Sequence, residues 1–492
     1  MIAVTHREGQ RLYVFGLGKS GLSAISALIR GGAKVVAWDD RADARAAAAE
    51  AGADLQPPDA AQWNSIDALV LSPGVPLTHP EPHDVVQRAQ NHDVPIIGDT
   101  ELFFYEVKTT MPAAKIVAIT GTNGKSTTTA LIGHMLASAG VKTQTGGNIG
   151  SHAVLELKPS VNHVACVYVI EFSSYQIDLT PSLRPDIAVF LNLSPDHLDR
   201  HGGFSGYGAV KAKIFAKQGK GDTLVLGTDD TATAAMAAKV PAGVTVIPIS
   251  QDQPVARGVF GREGVVYDTF GGEAPDEIAD KSGEVPVLDL KNVRALRGLH
   301  NVQNAAAATA VGLTLGLERD AIATGLASFG GLVHRMEDLG HDGPVLFIND
   351  SKATNSDSAE KALSSFENIF WIVGGRAKAG GIEPLAPLFD RVQKAYLIGE
   401  AAEDFEATLA GDVASSICGT LEAAFTEAVA DAKASGAAEP VVLLAPACAS
   451  FDQFASFEAR GEAFRQLAMA QIAKSGALGD KAESQLNREG EP

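Results

Sequence analysis

Cysteine is nearly missing from this chain: Cys166, Cys418 and Cys448 are the only thiols in 492 residues, odd in number and far apart. That excludes a disulfide framework and any CxxC-based zinc site, and predicts a reducing, cytoplasmic setting. Long apolar runs are missing too. No window reaches the roughly 18 consecutive apolar residues of a membrane span, and the first residues show no basic start followed by an apolar stretch. Neither membrane insertion nor a secretory leader is therefore expected. Positive charge is scarce, with 40 Lys and Arg against 59 Asp and Glu and a formal net charge of −19. Such a balance argues against a nucleic-acid or anionic-membrane partner, so any anionic ligand must be gripped by a few local cations.

What is present is a globular balance of 46% hydrophobic and 20% charged residues, enough for buried cores and too apolar for disorder. At roughly 150 residues per domain the length predicts about three domains. Short apolar runs alternate with Ala-rich stretches of helical length, the pattern of α/β domains with parallel sheets. Strands are expected at 11–16, 33–40, 66–74 and 94–99, then at 115–120, 166–171, 186–192 and 222–227. A third series falls at 345–350, 368–375, 394–400 and 441–447. Segments 41–53 and 301–317 read as helices, 250–295 as hairpins or a surface elaboration, and the polar tail after about 472 as mobile.

Gly121-Thr122-Asn123-Gly124-Lys125-Ser126-Thr127 lies between an apolar strand and a helix. Glycines there let backbone N–H groups face phosphate oxygens; Lys125 would neutralise β/γ-phosphate charge and Ser126 would ligate Mg2+. Ile119 stands where the first Gly of GxxxxGK[ST] would be, and an ordinary βα turn is the plainer alternative. Gly16-Leu17-Gly18-Lys19-Ser20-Gly21, with Asp39 further on, fits GxGxxG. Alone it says only that a diphosphate could approach the backbone, as in a nicotinamide-dependent dehydrogenase. Glu171 and His197 follow strands after the phosphate loop, on the edge where α/β ligands sit. Lys211 falls on an amphipathic helix, where a surface role is the ordinary reading. Asn301 and Asn304 sit near a helix start, with capping as the alternative, and Arg335, Asp350, Lys352, Thr354 and Lys378 occupy polar clusters after strands.

Taken together, GTNGKST, GGNIG (146–150), EFSSYQ (171–176), LSPDHLDRHG, LHNVQNAAAA, HRME, NDSKATN and LLAPACASFDQF resemble the Mur ligases of peptidoglycan synthesis, over nearly the whole chain. The resemblance implies three domains: 1–110, Rossmann-like and UDP-binding; 111–331, a P-loop ATPase; and 332–492, Rossmann-like and contributing the amino-acid site. It turns the first glycine loop from a nicotinamide to a uridine diphosphate site lined by Lys19, Ser20, Asp39, Asp40, Arg41, Ser72, Pro73, Gly74 and Asn148. Asp40 stands where this branch of the family often has Thr. Ser126, Glu171, His197 and Lys211 would surround two Mg2+ ions, Lys211 as a CO2-derived carbamate. Asn301, Asn304, Arg335 and Asp350 would join residues 121–127 in holding ATP. Lys352, Thr354, Lys378, Ser450 and Phe457 would shape a D-glutamate pocket.

The activity implied is ATP-dependent joining of D-glutamate to UDP-N-acetylmuramoyl-L-alanine through an acyl phosphate. Lys125, Glu171, His197, Lys211 and Lys352 would carry the chemistry, in a monomer whose C-terminal domain closes during turnover. His197 would either orient the incoming amine or hold metal. The alternatives are a Mur ligase with another amino acid, a folylpolyglutamate synthase-like ligase, and a nucleotide-binding regulator.

Overall fold

The computed structural model describes every residue except 151–152, 161–164, 271–282, 378–379 and 487–492, and only the backbone course of 292, 294 and 475–486. It divides into two compact units, Met1–Phe329 and Gly330–Pro492. Three sheets carry the architecture, which is α/β as the alternating pattern predicts.

In the first unit, β1 (Arg11–Phe15), β2 (Lys34–Trp38), β3 (Asp54–Leu55), β4 (Ala68–Leu71) and β5 (Ile96–Ile97) form a sheet of order β3-β2-β1-β4-β5, parallel throughout. Leu12 pairs with both Val35 and Ala68, so the central strand is flanked on each side. Both faces are buried: Val14 and Val70 on one, Tyr13 and Leu69 on the other. That is why these strands read as unbroken apolar runs rather than as alternations.

The same unit holds a larger sheet. Its strands are β6 (Lys115–Thr120), β7 (Thr143–Gly147), β8 (Val167–Glu171), β9 (Ile187–Phe190), β10 (Thr223–Gly227), β11 (Thr245–Ser250), β12 (Val259–Arg262), β13 (Val265–Asp268) and β14 (Val285–Asp289). The order is β14-β13-β12-β11-β10-β9-β6-β8-β7. The strands from β7 to β12 run parallel, and β12-β13-β14 are antiparallel, which makes the 250–295 region a hairpin extension. Against this sheet lies the helix Leu299–Thr314, whose Ala305, Ala306, Ala307, Ala308 and Ala310 are fully buried. Small side chains let it approach the strands closely; Gly316, at φ 84°, follows its end.

The second unit contains β15 (Glu337–Asp342), β16 (Val345–Asn349), β17 (Ile369–Gly374), β18 (Val392–Ile398), β19 (Ser415–Gly419) and β20 (Val441–Leu444), in the order β15-β16-β20-β17-β18-β19. Only β15 is antiparallel to its neighbour. Trp371, fully buried on the central strand, pairs with Ala395 and Leu443. The tail expected to be mobile after 472 instead begins inside the helix Phe457–Leu486.

Candidate active site

The phosphate loop grows out of the centre of the second sheet. β6 is buried from Ile116 onward, and the chain turns through Gly121 (φ 152°) and Gly124 (φ 80°) into the helix Lys125–Ser138. A Cβ on Gly124 would lie 2.4 Å from Asn304 Oδ1, so glycine is required both by conformation and by space. The amides of Thr122 and Asn123 do not face outward as the sequence suggests. Thr122 N–H donates to the Asn192 carbonyl (2.9 Å), and Asn123 N–H donates to Asn192 Oδ1 (2.9 Å). The N–H groups left for an anion are those of the helix's first turn, which have no intrahelical acceptor. Lys125 Nζ donates to the Thr122 carbonyl at 2.8 Å, and Thr128 Oγ1 donates to Asn304 Oδ1 at 3.0 Å. Asn304 Nδ2 donates to Asn301 Oδ1 (2.9 Å). Both asparagines are thus wired to the phosphate-loop helix rather than acting only as caps.

Lys211 corrects the surface reading of its helix. It is 1% exposed, its Nζ donating to Thr120 Oγ1 (3.2 Å) and the Gly121 carbonyl (2.7 Å) and lying 4.8 Å from the Tyr207 ring centre. Desolvation, reinforced by nearby Lys125, holds its pKa well below the ordinary lysine value against the pull of Asp196 and Glu171. That environment favours the neutral, nucleophilic form of the amine beside the phosphate loop. Glu171 is also 1% exposed; Oε1 accepts from Asn148 Nδ2 (3.1 Å), and Oε2 is buried with no hydrogen-bond donor. Ser126 is buried near the start of the helix. His197 has φ 50°, a half-exposed side chain, and Asp196 Oδ2 3.5 Å from its Nε2. Among the described residues no three His, Cys, Asp or Glu side chains gather into a metal cluster. The expected set contains only two such residues, Glu171 and His197, and the orphaned Glu171 oxygen fits a cation.

The first glycine loop lies at the carboxyl edge of the first sheet. A Cβ on Gly16 (φ 87°) would meet Ser72 Cβ at 2.5 Å, and one on Gly21 would meet the Gly16 carbonyl oxygen at 2.1 Å, whereas Gly18 faces open space. Lys19, Ser20 and Ser72–Gly74 therefore line one rim. Asp39 turns back into the loop: Oδ2 accepts from Leu17 N–H (2.6 Å) and Oδ1 from Arg41 N–H (2.9 Å). Burial raises its pKa, but those backbone bonds and the Arg41 side chain lower it further, so it stays below the ordinary value. Its acceptors are occupied in the loop, unlike the ribose-binding acid of a dinucleotide fold. Asp40 and Arg41 are exposed. Lys19 Nζ donates to the Gly150 carbonyl (3.3 Å), bringing this rim to the loop that carries Asn148. Ser20 bonds the buried Asp99, a contact no sequence signal announced.

In the second unit, Arg335, Asp350 and Lys352 come together where β16 ends. Lys352 N–H donates to the His334 carbonyl (3.0 Å), and Met336 N–H to Asp350 Oδ1 (3.3 Å). Burial raises the Asp350 carboxyl to about 6 against the opposing fields of Arg335, Lys352 and Lys361. Lys352 Nζ lies 5.5 Å from the Phe457 ring centre, and Thr354 N–H donates to the Lys352 carbonyl at 2.8 Å. Ser450 is buried with its Oγ lacking a hydrogen-bond partner. Lys378 lies outside the described residues. Sequence reasoning missed the fully buried Arg460, which donates to Ser351 Oγ, the Ser351 carbonyl and the Cys448 carbonyl and braces both loops. An arginine on an amphipathic helix carries no signal of burial.

Three family models match in succession: the Mur ligase MurD-like N-terminal domain over residues 10–98, the Mur ligase middle domain over 119–312, and the Mur ligase glutamate ligase domain over 334–448. The chain is 53% identical to a UDP-N-acetylmuramoylalanine–D-glutamate ligase of Caulobacter vibrioides, covering 94% of this chain and 97% of that one. It is 52% identical to the ligase of the same name from Nitrobacter hamburgensis, covering 96% and 98%. Among solved structures, MurF from Acinetobacter baumannii aligns with TM-score 0.54 at 18% identity, covering 96% of this chain and 93% of that one. MurC from Thermotoga maritima aligns with TM-score 0.54 at 18% identity, covering 94% and 99%. These two share the three-domain fold.

Proposed function

The chain belongs to the Mur ligase family, and from that premise we propose that it joins D-glutamate to UDP-N-acetylmuramoyl-L-alanine with cleavage of ATP to ADP. The observation that carries the reading is the 53% identity, over 94% of the chain, to a ligase named for that reaction. The geometry supports it: a glycine-built phosphate loop, a buried amine and a buried carboxylate converge in one unit, and a cationic cluster around Lys352 lies in the other. Domain limits of 1–110, 111–331 and 332–492 go with this reading, as do a monomeric state and a cytoplasmic role in peptidoglycan precursor synthesis, and through it in cell-wall growth, shape and division. Among the described residues no helix is long and apolar enough to cross a membrane.

An oxygen of the alanyl carboxylate attacks the γ-phosphorus, the bond to the β–γ bridging oxygen breaks, and ADP leaves. The amine of D-glutamate then attacks the acyl phosphate, loses a proton, and inorganic phosphate departs with the bonding electron pair. Lys125 and the first-turn amides of its helix hold the β- and γ-phosphates, while Asn301, Asn304, Arg335 and Asp350 position the nucleotide. Lys19, Ser20, Asp39, Asp40, Arg41, Ser72, Pro73, Gly74 and Asn148 seat the UDP-sugar. Thr354, Lys378, Ser450 and Phe457, with Lys352, take the amino acid, whose two carboxylates call for cations and hydroxyls. Ser126, Glu171, His197 and Lys211 would hold two Mg2+ ions, which when bound neutralise phosphate charge and stabilise charge on the transferring group. The burial of the Lys211 amine and its lowered pKa support reaction with CO2 to a carbamate, which would add an oxygen donor to those of Ser126 and Glu171.

Phosphate release with UDP-N-acetylmuramoyl-L-alanine, ATP, magnesium and a panel of amino acids, each component omitted in turn, tests the whole reading. Release is expected only with the complete set and D-glutamate. Turnover with a different amino acid, or with none, would overturn it.

A further inference from the structure

Asn192 lies two residues past the end of β9 and braces the phosphate loop twice, through its carbonyl to Thr122 N–H and its Oδ1 to Asn123 N–H. Its remaining groups are committed as well. Nδ2 donates to Gln303 Oε1 at 2.9 Å and, over a longer 3.3 Å, to the Asn123 carbonyl. Gln303 Nε2 donates to Asp229 Oδ2, and Asp229 Oδ1 accepts from Ser250 Oγ (2.6 Å) and Gln251 N–H (3.0 Å). Gln303 is 5% exposed. Amide orientations are ordinarily ambiguous, but this row has a fixed direction. A backbone N–H can only donate and a carboxylate can only accept, so each amide between them has one orientation that satisfies both neighbours.

We propose that Asn192, Gln303 and Asp229 form a directional relay of positioning residues that holds the phosphate loop in its ATP-binding shape. None of the three needs to touch the nucleotide. Asn192 turns the Thr122 and Asn123 amides inward, so that the loop presents the first-turn amides of the helix instead. Gln303 stands between Asn301 and Asn304 on the helix Leu299–Thr314, so the segment that seats the nucleotide also sets the orientation of the brace. The inference rests on the ATP-binding reading above and names residues that carry it.

The directionality supplies the test. Asn192→Asp keeps the acceptor for Asn123 N–H but loses the donor to Gln303. Gln303 can then turn its amide toward the new carboxylate only by setting its oxygen against the Asp229 carboxylate. Asp229→Asn alone places a donor toward Gln303 Nε2 when it keeps its bonds to Ser250 and Gln251. In the double variant Gln303 flips and the row of side-chain bonds is restored with the opposite sense, lacking the long bond to the Asn123 carbonyl and the second, 3.1 Å bond from Gln251 N–H to Asp229 Oδ2. Each single variant is expected to raise KM for ATP about tenfold with kcat changed less than about threefold, and the double variant to recover most of that loss. KM for the UDP-sugar and for D-glutamate should stay unchanged throughout. ADP binding to each variant and thermal melting accompany the kinetics, and Gln303→Met, close in volume, replaces any single variant that does not fold. Unchanged KM for ATP in the singles, or a double variant no better than the product of the singles, would overturn the relay. Wild-type protein that binds no ATP would instead overturn the reading on which it rests.

Discussion

Lys211 and Asp350 are buried charges whose environments push them toward neutrality, in different units and with different consequences. Lys211 is enclosed by Thr120, Gly121 and Tyr207, and burial holds its pKa well below the ordinary lysine value, which favours the neutral amine that can add CO2. Lys211→Ala is expected to lower kcat on the order of 100-fold or more while leaving UDP-sugar affinity within about threefold. Near-normal turnover would remove the carbamate from the mechanism, and a carbamate carbon signal from labelled bicarbonate, present in wild type and absent in the variant, checks the chemistry directly. Asp350 is a stability statement. Its folded pKa of about 6 lies above the ordinary 3.8, so the neutral form's stabilisation is fully present below the unfolded value and is lost as pH rises through about 6. Above that, the fold holds an unwelcome carboxylate. Asp350→Asn should therefore stabilise the second unit at neutral pH by up to roughly 3 kcal/mol, with the advantage vanishing near pH 4. The same change should impair turnover. Melting curves of both proteins across pH 4 to about 8 show whether the difference follows that course.

At the level of elements, the two glycine loops separate conformation from ligand approach. Gly16→Ala forces a Cβ onto Ser72 at φ 87°, and Gly124→Ala forces one onto Asn304 at φ 80°; each should cost about 2–3 kcal/mol of stability. Gly18→Ala meets nothing within 4 Å, so it should melt as wild type yet bind the UDP-sugar more weakly, because the added methyl lies where a diphosphate would approach. Equal affinity in that variant would place the diphosphate elsewhere. The strands that feed these loops were legible because both of their faces are buried, which leaves unbroken apolar runs. Thr143–Gly147, Glu337–Asp342 and Ser415–Gly419 were not legible: each is a sheet edge or neighbours one, and TQTGG, EDLGHD and SSICG hold few of the apolar residues that mark a strand. The phosphate loop and its lysine could be read from spacing. The inward turn of Asp39, the brace at Asn192 and the burial of Arg460 could not, since each depends on residues far apart in sequence meeting across strands or helices.

For the molecule as a whole, a net charge of −19 makes the gathering of ATP, a UDP-sugar acid and D-glutamate unfavourable, and the local cations that oppose it are divided between the units. Lys19 and Lys125 belong to Met1–Phe329; Arg335, Lys352 and Arg460 belong to Gly330–Pro492. Each unit has its own buried cores. Those around Val14, Val117 and Tyr13 lie wholly in the first, and those around Trp371 and Phe347 wholly in the second. Among the described residues neither set of cores borrows from the other unit, so each unit should fold alone. Residues 1–329 expressed separately should melt cooperatively, bind the UDP-sugar and bind ATP more weakly than the full chain, because the phosphate loop, Glu171, Lys211 and the first glycine loop are retained while Arg335 and Asp350 are gone. Amide formation should be lost, because Lys352, Thr354, Ser450 and Phe457 are gone. Residues 330–492 alone should melt cooperatively and consume no ATP. Calorimetry on each fragment, binding isotherms for the first and product assays on both decide the matter. An amide formed by residues 1–329 in the presence of D-glutamate would mean that the amino acid is captured without the second unit, and the division of labour drawn from the lysines would be wrong.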